Sequence, residues 1–234
     1  MTKRSPFRYF KTSPAIIRLA VMLYVRFPLS LRNVEDLLHE RGIEISHETV
    51  RYWWNLFGPM FASVIRRRRI QGMRFSKWKR QLDEVFVKIN GETHYLWRAV
   101  DHEGEVLESY ATKRRDRKVA LKFLRNLMRK HGQVDEFVTD KLKSYGAAFR
   151  DLKVPQKQSS GRWMNNRVES SHLPFRRRER AMLRFRHMRC LQKFASVHAS
   201  VYNHFNQEGS LSSRDIFKLN RTAALREWRG LCAG

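Results

Sequence analysis

Apolar residues recur at helical spacing from Ser13 to Arg69 and then, from Gln81 onward, at a spacing of two, so a helical N-terminal part precedes a sheet-forming part. The stretch SPAIIRLAVMLYVRF places Ile16, Leu19, Ala20 and Leu23 on one face, with Pro14 where a first turn tolerates it. SLRNVEDLLHERG predicts a second helix capped by Ser30, with Leu31, Val34, Leu37 and Leu38 inward and Gly42 as its stop. SHETVRYWWNLFGPM starts a third helix behind Ser46. Three helices with a glycine turn between the last two fit a helix-turn-helix unit, and they fit an ordinary three-helix packing unit as well. In the first reading, His47, Glu48, Arg51 and Asn55 face a DNA major groove while Val50, Trp54 and Phe57 pack inward. The run RRRR at 66–69 is expected in a solvated or phosphate-facing linker.

The second part begins with LDEVFVKI, turns at Asn90-Gly91, returns as ETHYLWRAV, and turns again through DHEGE into VLESYATK. Asn-Gly between alternating strands is a strong hairpin signal, so a three-stranded antiparallel meander is expected. An amphipathic helix from about Asp116 to His131 follows, with Val119, Leu121, Phe123, Leu124 and Leu127 apolar and Gly132 at its end. DEFVTD at 135–140 then reads as a short strand. A meander, a crossover helix and a strand returning beside the first is the order of an α/β sheet of the ribonuclease H type. Residues 141–234 read as mostly helical, with SSG at 159–161 and NQEGSLSS at 206–213 as loops.

Charge changes the picture more than composition does. Forty-eight Lys and Arg against 22 Asp and Glu leave a formal charge of +26, which points to a polyanionic partner. Arginines alternate with Trp, Tyr and Phe in structured-looking sequence, which favours nucleic acid over a membrane surface. The longest apolar runs are too short and too often broken by Arg to span a bilayer, and no secretion signal is recognised. Cys190 and Cys232 form neither a disulfide framework nor a zinc pattern and read as reduced thiols of a cytoplasmic protein.

Against this basic background, a few acids stand out. Asp83 shares strand parity with Val85, Val87 and Ile89, which puts a carboxylate on an otherwise apolar face, where it needs an arginine, a raised pKa or a bound cation. Asp140 closes FVT at the carboxyl end of a strand, where open α/β sheets place ligands. Glu169 follows a predicted helix start at Asn165 and Asn166, and a helix packed on the sheet brings it to the other two. Three hard oxygen ligands suit Mg²⁺, and a pair of such ions serves phosphodiester chemistry. Arg167, Arg177 and Arg178 are expected to hold the DNA that the acids alone would repel. Taken singly, each acid is also compatible with a local pair, a turn start or a solvated helix position. Glu84, Asp101 and Glu108 compete for the site, with Asp101 reading better as a turn start. Glu169 and His172 make an E-x-x-H spacing, but a di-iron bundle needs that motif twice with further glutamates. His172 reads as packing, a DNA contact or a group that tunes the site, and Trp163 as core packing or a platform for a terminal base.

LDEVFVKINGETHYLWRAVDHEG, VTDKLKSYG and NNRVESSHLPFRRR together resemble the catalytic segments of bacterial insertion-sequence transposases of the DDE type, in the IS-six group that includes the IS-twenty-six elements. The resemblance covers nearly the whole chain. It implies a ribonuclease H-like core, Asp83, Asp140 and Glu169 as catalytic metal ligands, and Arg176 as a basic residue near the DNA end. It further implies Mg²⁺ dependence, with Mn²⁺ as a substitute, terminal inverted repeats as substrate, and attack of a freed 3′-hydroxyl on target DNA. The interval from Asp140 to Glu169 is shorter than in the best-known members, and Pro174 is expected to end or kink the helix that carries Glu169.

The fold class expected is therefore α/β, a ribonuclease H-like catalytic core of mixed sheet flanked by helices, behind an N-terminal helix-turn-helix domain. The division expected is 1–70 for DNA binding, 71–80 as a basic linker, 81–189 as the catalytic core and 190–234 as a C-terminal helical extension. Joining two element ends implies a homodimer or higher oligomer on double-stranded DNA, in the bacterial cytoplasm at the nucleoid. The non-enzymatic alternative is a sequence-specific DNA-binding protein on a ribonuclease H-like scaffold. A structure-directed nuclease would cut without joining.

Overall fold

The computed structural model describes residues 5–73, 79–102, 104–133, 135–139, 143–154, 157–160, 166–206 and 213–232, with the side chains of 70–73, 143, 160 and 166–169 outside that description. Helices α1 (Pro14–Arg26), α2 (Leu31–His39) and α3 (His47–Met73) lead into strands β1 (Arg80–Ile89), β2 (Glu92–Val100) and β3 (Val106–Thr112). Then follow α4 (Arg117–His131), β4 (Phe137–Thr139), α5 (Lys143–Asp151), β5 (Gln158–Ser160), α6 (Asn166–Ala181), α7 (Met188–Phe205) and α8 (Arg214–Arg229).

Local chemistry explains most boundaries. Ser13 accepts from the Ile16 amide with Pro14 behind it, and Ser30 forms a reciprocal capping box with Asn33. Ser46 Oγ accepts from the Thr49 amide at 3.3 Å, and Asp116 caps α4 through the Val119 amide. Asn90 and Gly91 both take positive φ, 51° and 83°, as a two-residue hairpin whose turn matches strand twist requires. Asp101 starts the next turn as expected, its Oδ1 accepting from the Glu105 amide at 2.9 Å.

The sheet order is β3-β2-β1-β4-β5, with β1, β2 and β3 antiparallel and β4 parallel to β1. That is the expected ribonuclease H-like arrangement of a mixed sheet with helices on both faces. Leu82, Trp97 and Ala99 face α4 and α5 with Phe123, Leu124, Phe137 and Phe149. Val85, Val87, Ile89 and Leu96 belong to a larger core that runs through α6 and α7 into α1, α2, α3 and α8. Phe57, Phe61, Phe194 and Trp228 are among the rings that fill it.

Four expectations are corrected. The buried face of α1 is Ile17, Ala20, Val21, Tyr24 and Val25, while Ile16, Leu19 and Leu23 pack only partly against it. Residues 158–160, expected to lie partly in a loop, form β5 parallel to β4. Helix α3 continues through the four arginines to Met73 instead of yielding to a linker, and β1 begins at Arg80. Arg66 explains part of that continuation, its Nη1 donating to Ser196 Oγ at 2.9 Å. Arg69 donates to the Asn203 carbonyl at 3.0 Å and pairs with Glu105. Finally, of the two outcomes expected at Pro174, ending α6 is excluded, because the helix runs on to Ala181. The turn around Pro174 is held by Phe175 and Arg178, both buried, so tertiary packing outweighs the one backbone hydrogen bond that proline removes.

Candidate active site

Asp83 lies on β1 with its side chain 17% exposed, on the same face as Val85 and Val87. One oxygen, Oδ1, accepts from the Glu84 amide at 2.8 Å. The antiparallel register sets it across from Arg98 on β2. On the other side, the parallel register pairs Leu82 with Thr139, the residue before Asp140. Asp140 itself and the side chain of Glu169 lie outside the described residues, as do Trp163 and the side chain of Arg167.

Helix α6 packs over β1 and β2 and crosses this point. His172 Nδ1 stands 4.0 Å from Asp83 Oδ2. Glu169 is three positions earlier on the same helix, and residues three apart share a helix face. Arg176, one turn later, donates from Nη2 to the Phe86 carbonyl at 2.6 Å and from Nη1 to Glu179 at 2.6 Å, fastening α6 to β1.

The electrostatics beneath Asp83 are unusual for a strand. Arg98 is 2% exposed, with Phe175 5.8 Å from its guanidinium carbon. Burial lowers its pKa to about 10, while Tyr202 and Asp83 pull in the opposite direction. Burial followed by the charges of Arg98 and Arg176 lowers His172 to about 3, so its imidazole is neutral at ordinary pH. The same causes, with Arg178 in place of Arg176, lower His198 on α7 to about 3. Arg98 escaped the sequence reading because arginine in a strand suggests solvent. The signal was its parity with Leu96 and Val100 in THYLWRAV.

The competing acids are occupied elsewhere. Glu84 lies 3.1 Å from Arg115, and Glu108 pairs with Lys130. Among the described residues, no group of three or more His, Cys, Asp or Glu can hold a metal ion. Asp83 offers carboxylate oxygens of the kind a hard cation takes, with Oδ2 4.0 Å from His172 Nδ1.

A family profile described as a DDE domain matches residues 77–208. The chain belongs to the DDE-domain family of insertion-sequence transposases. The transposase of insertion sequence-like element IS431mec from Staphylococcus aureus strain Mu50 is 30% identical over 171 residues, covering 71% of this chain and 75% of the relative. The transposase of IS257 in transposon Tn4003, also from Staphylococcus aureus, matches over the same shares. Both place the chain in the IS-six group, and its activity is DNA transposition by a DDE transposase. Among solved structures, the HTLV-2 integrase catalytic core in complex with magnesium aligns with a TM-score of 0.43 and 16% identity, over 57% of this chain and 88% of that one. The Mos1 transposase catalytic domain aligns at 0.41 and 14%, over 74% and 90%.

The DNA-facing residues expected of this transposase divide sharply. His47 Nδ1 and Glu35 Oε2 are 2.8 Å apart, joining α3 to α2. Arg51 holds both oxygens of Glu48, at 2.6 and 2.7 Å, on the exposed side of α3. Asn55 accepts from Lys193 Nζ at 2.9 Å through its side chain. Arg177 is exposed. Arg178 is a correction, because it is 1% exposed, donates to the Leu29 carbonyl at 2.7 Å and sits over the rings of Tyr24 and Phe194. It joins α6 to the N-terminal helices and is not available to DNA. No helix among the described residues is long and apolar enough to cross a membrane.

Proposed function

We propose that this transposase cleaves DNA at the terminal inverted repeats of its insertion sequence and joins the freed 3′ ends to target DNA, with Asp83, Asp140 and Glu169 as catalytic metal ligands. The observation that carries this reading is the β1–β4 register. It pairs Leu82 with Thr139, and in the sequence each of these is followed by an acid, Asp83 and Asp140. The position of Glu169, one turn before the histidine that reaches Asp83, supports the third ligand. Mg²⁺, or Mn²⁺ in its place, would supply Lewis acidity for activating a hydroxyl and stabilising a leaving oxygen.

The chain's own residues do the rest. In this reading β1, the end of β4 and α6 would bring the three acids to one point. The excess of cations offsets the repulsion between those acids and DNA, and Arg176 and Arg177 flank the site on α6 while Arg167 precedes it. At the front, residues 1–70 bind the repeats through His47, Arg51 and Asn55 on the first turns of α3, as a helix-turn-helix unit. The segment between α3 and β1 connects this region to a catalytic core that extends to 189, and 190–234 form the helical extension. Two ends must be held together for joining, so the active form on double-stranded DNA is a homodimer or a higher oligomer, working at the nucleoid in the bacterial cytoplasm.

The test is an end-cleavage and strand-transfer assay on DNA carrying the element's terminus, in Mg²⁺ or EDTA, with wild type and Glu169→Gln. Metal-dependent joining that the variant loses is the expected result. Binding without cleavage by either protein would favour a DNA-binding scaffold, and cutting without joining would favour a nuclease.

A further inference from the structure

Arg98 is a full cation on the apolar parity of β2, directly across from Asp83. Directly opposed residues on antiparallel strands hold their Cβ atoms about 4.5–5.5 Å apart. Phe175 of α6 stands 5.8 Å from the guanidinium carbon, which is buried between strand and helix. Among the described residues, its Nε and Nη1 have no hydrogen-bond partner. A charge this deep is costly unless an opposite charge lies near it, and replacing a buried ion pair as a whole by hydrophobic side chains is often neutral or favourable. Its retention behind a carboxylate therefore asks for a reason. Under the ligand assignment proposed above, the carboxylate has a complementary difficulty, since two further acids would share its site and repel it whenever no cation is present.

We propose that Arg98 is a positioning residue for the acid site: an internal cation that holds Asp83 in place and offsets repulsion among the three acids before a divalent ion binds. The inference rests on the assignment of those acids as ligands. Arg98 and the metal then do overlapping electrostatic work. In the wild type the metal adds little to folding stability, because Arg98 already balances part of the charge. Without Arg98, the fold comes to depend on the metal.

Thermal unfolding tests this without DNA or turnover. Wild type, Arg98→Met, Arg98→Lys, Asp83→Asn and the Arg98→Met/Asp83→Asn double variant are compared in EDTA, in Mg²⁺ and in Mn²⁺. In EDTA, Arg98→Met is expected to lower Tm by about 10 °C, as loss of one member of a buried pair should in a chain of this size. Adding Asp83→Asn restores part of that loss. Metal raises the Tm of Arg98→Met more than that of wild type, Arg98→Lys keeps the wild-type response, and Asp83→Asn abolishes it. Additive effects of the two substitutions, together with equal metal shifts in wild type and Arg98→Met, would overturn the proposal while leaving the ligand assignment intact. Arg98→Lys behaving like Arg98→Met would also overturn it. No response to either ion in any variant would instead overturn the ligand assignment, and the proposal with it. If Arg98→Met yields no folded protein, recovery in the double variant supports the proposal and failure to recover overturns it.

Discussion

Asn203 and Val106 exchange two hydrogen bonds, the side-chain amide of α7 donating to the Val106 carbonyl at 2.8 Å and accepting from its amide at 2.9 Å. Val106 begins β3, an edge strand of the sheet. Gln192, three turns earlier on α7, repeats the device by donating to the Ser109 carbonyl at 2.8 Å and accepting from the Ala111 amide at 2.7 Å. Two side chains of one helix thus occupy backbone groups that an unprotected edge would offer to another chain. Asn203 is buried, so Asn203→Leu should leave a buried amide and carbonyl without partners, at about 1–3 kcal/mol each. The expected outcome is a lower urea midpoint and greater concentration-dependent association in light scattering; an unchanged midpoint would show that water replaces the side chain.

The arginines should separate by role when substituted in pairs. Arg178 and Arg66 are tied into the fold, whereas Arg177 and Arg67 are exposed. Arg178→Met and Arg66→Ala should lower stability and leave the salt dependence of DNA binding unchanged. Arg177→Ala or Arg67→Ala should leave stability within about 0.5 kcal/mol and reduce the slope of log affinity against log salt by about 0.9 for each phosphate that the variant no longer neutralises. Fluorescence anisotropy at several salt concentrations, beside denaturation curves, distinguishes the two groups.

This division could not be read from the sequence, where RRRR and FRRRER look uniformly solvent-facing. Whether an arginine ties helices together or meets a phosphate depends on which helix covers it, and α7 lies more than a hundred residues from α3. Features set by near neighbours were legible, namely the cap at Ser30, the helix starts near Pro14 and Asp116 and the Asn90-Gly91 hairpin, and the β1–β4 crossover order followed from the order of elements. The buried face of α1 was misplaced because AIIRLAVMLYV is apolar almost all round and defines no single stripe. Strand β5 was missed because three polar residues gain their strand conformation from pairing with β4. The placement of Asp83 on the apolar face of β1 was legible from parity alone, and the same test applied to β2 would have exposed Arg98.

Gly58 makes a sharper prediction about packing. A Cβ there would lie 2.6 and 2.7 Å from Cε3 and Cζ3 of Trp54, one helical turn earlier. Trp54 is buried, with Tyr24 at 5.6 Å and Phe194 at 5.7 Å between ring centroids, so it has little room to withdraw. Helix propensity alone favours Ala over Gly by up to about 1 kcal/mol, but overpacking a core typically costs about 1–3 kcal/mol. Gly58→Ala should therefore lower the midpoint of unfolding. A raised midpoint would mean that α3 shifts at Pro59, the next residue, to make space.

Stability should also fall in mild acid, and the sign follows from burial. His198 is held neutral, its pKa lowered to about 3 by burial first and then by Arg98 and Arg178. His131 is lowered to about 4, again by burial first, with Arg80 next. In the unfolded chain both titrate near the ordinary value of about 6.5. Below that pH the unfolded state binds protons that the folded state refuses, so stability is complete above about 6.5 and is lost as pH falls toward 4 and then 3. At pH 5.5, His198 alone should account for roughly 1.4 kcal/mol of the loss relative to neutral pH. His198→Phe keeps an aromatic ring beside Phe194 and Tyr202 but has nothing to protonate. The difference in urea-derived stability between pH 7.5 and 5.5 should therefore shrink by about that amount in the variant. An unchanged difference would mean that His198 accepts a proton in the folded protein despite the adjacent arginines, or that the loss comes from other groups.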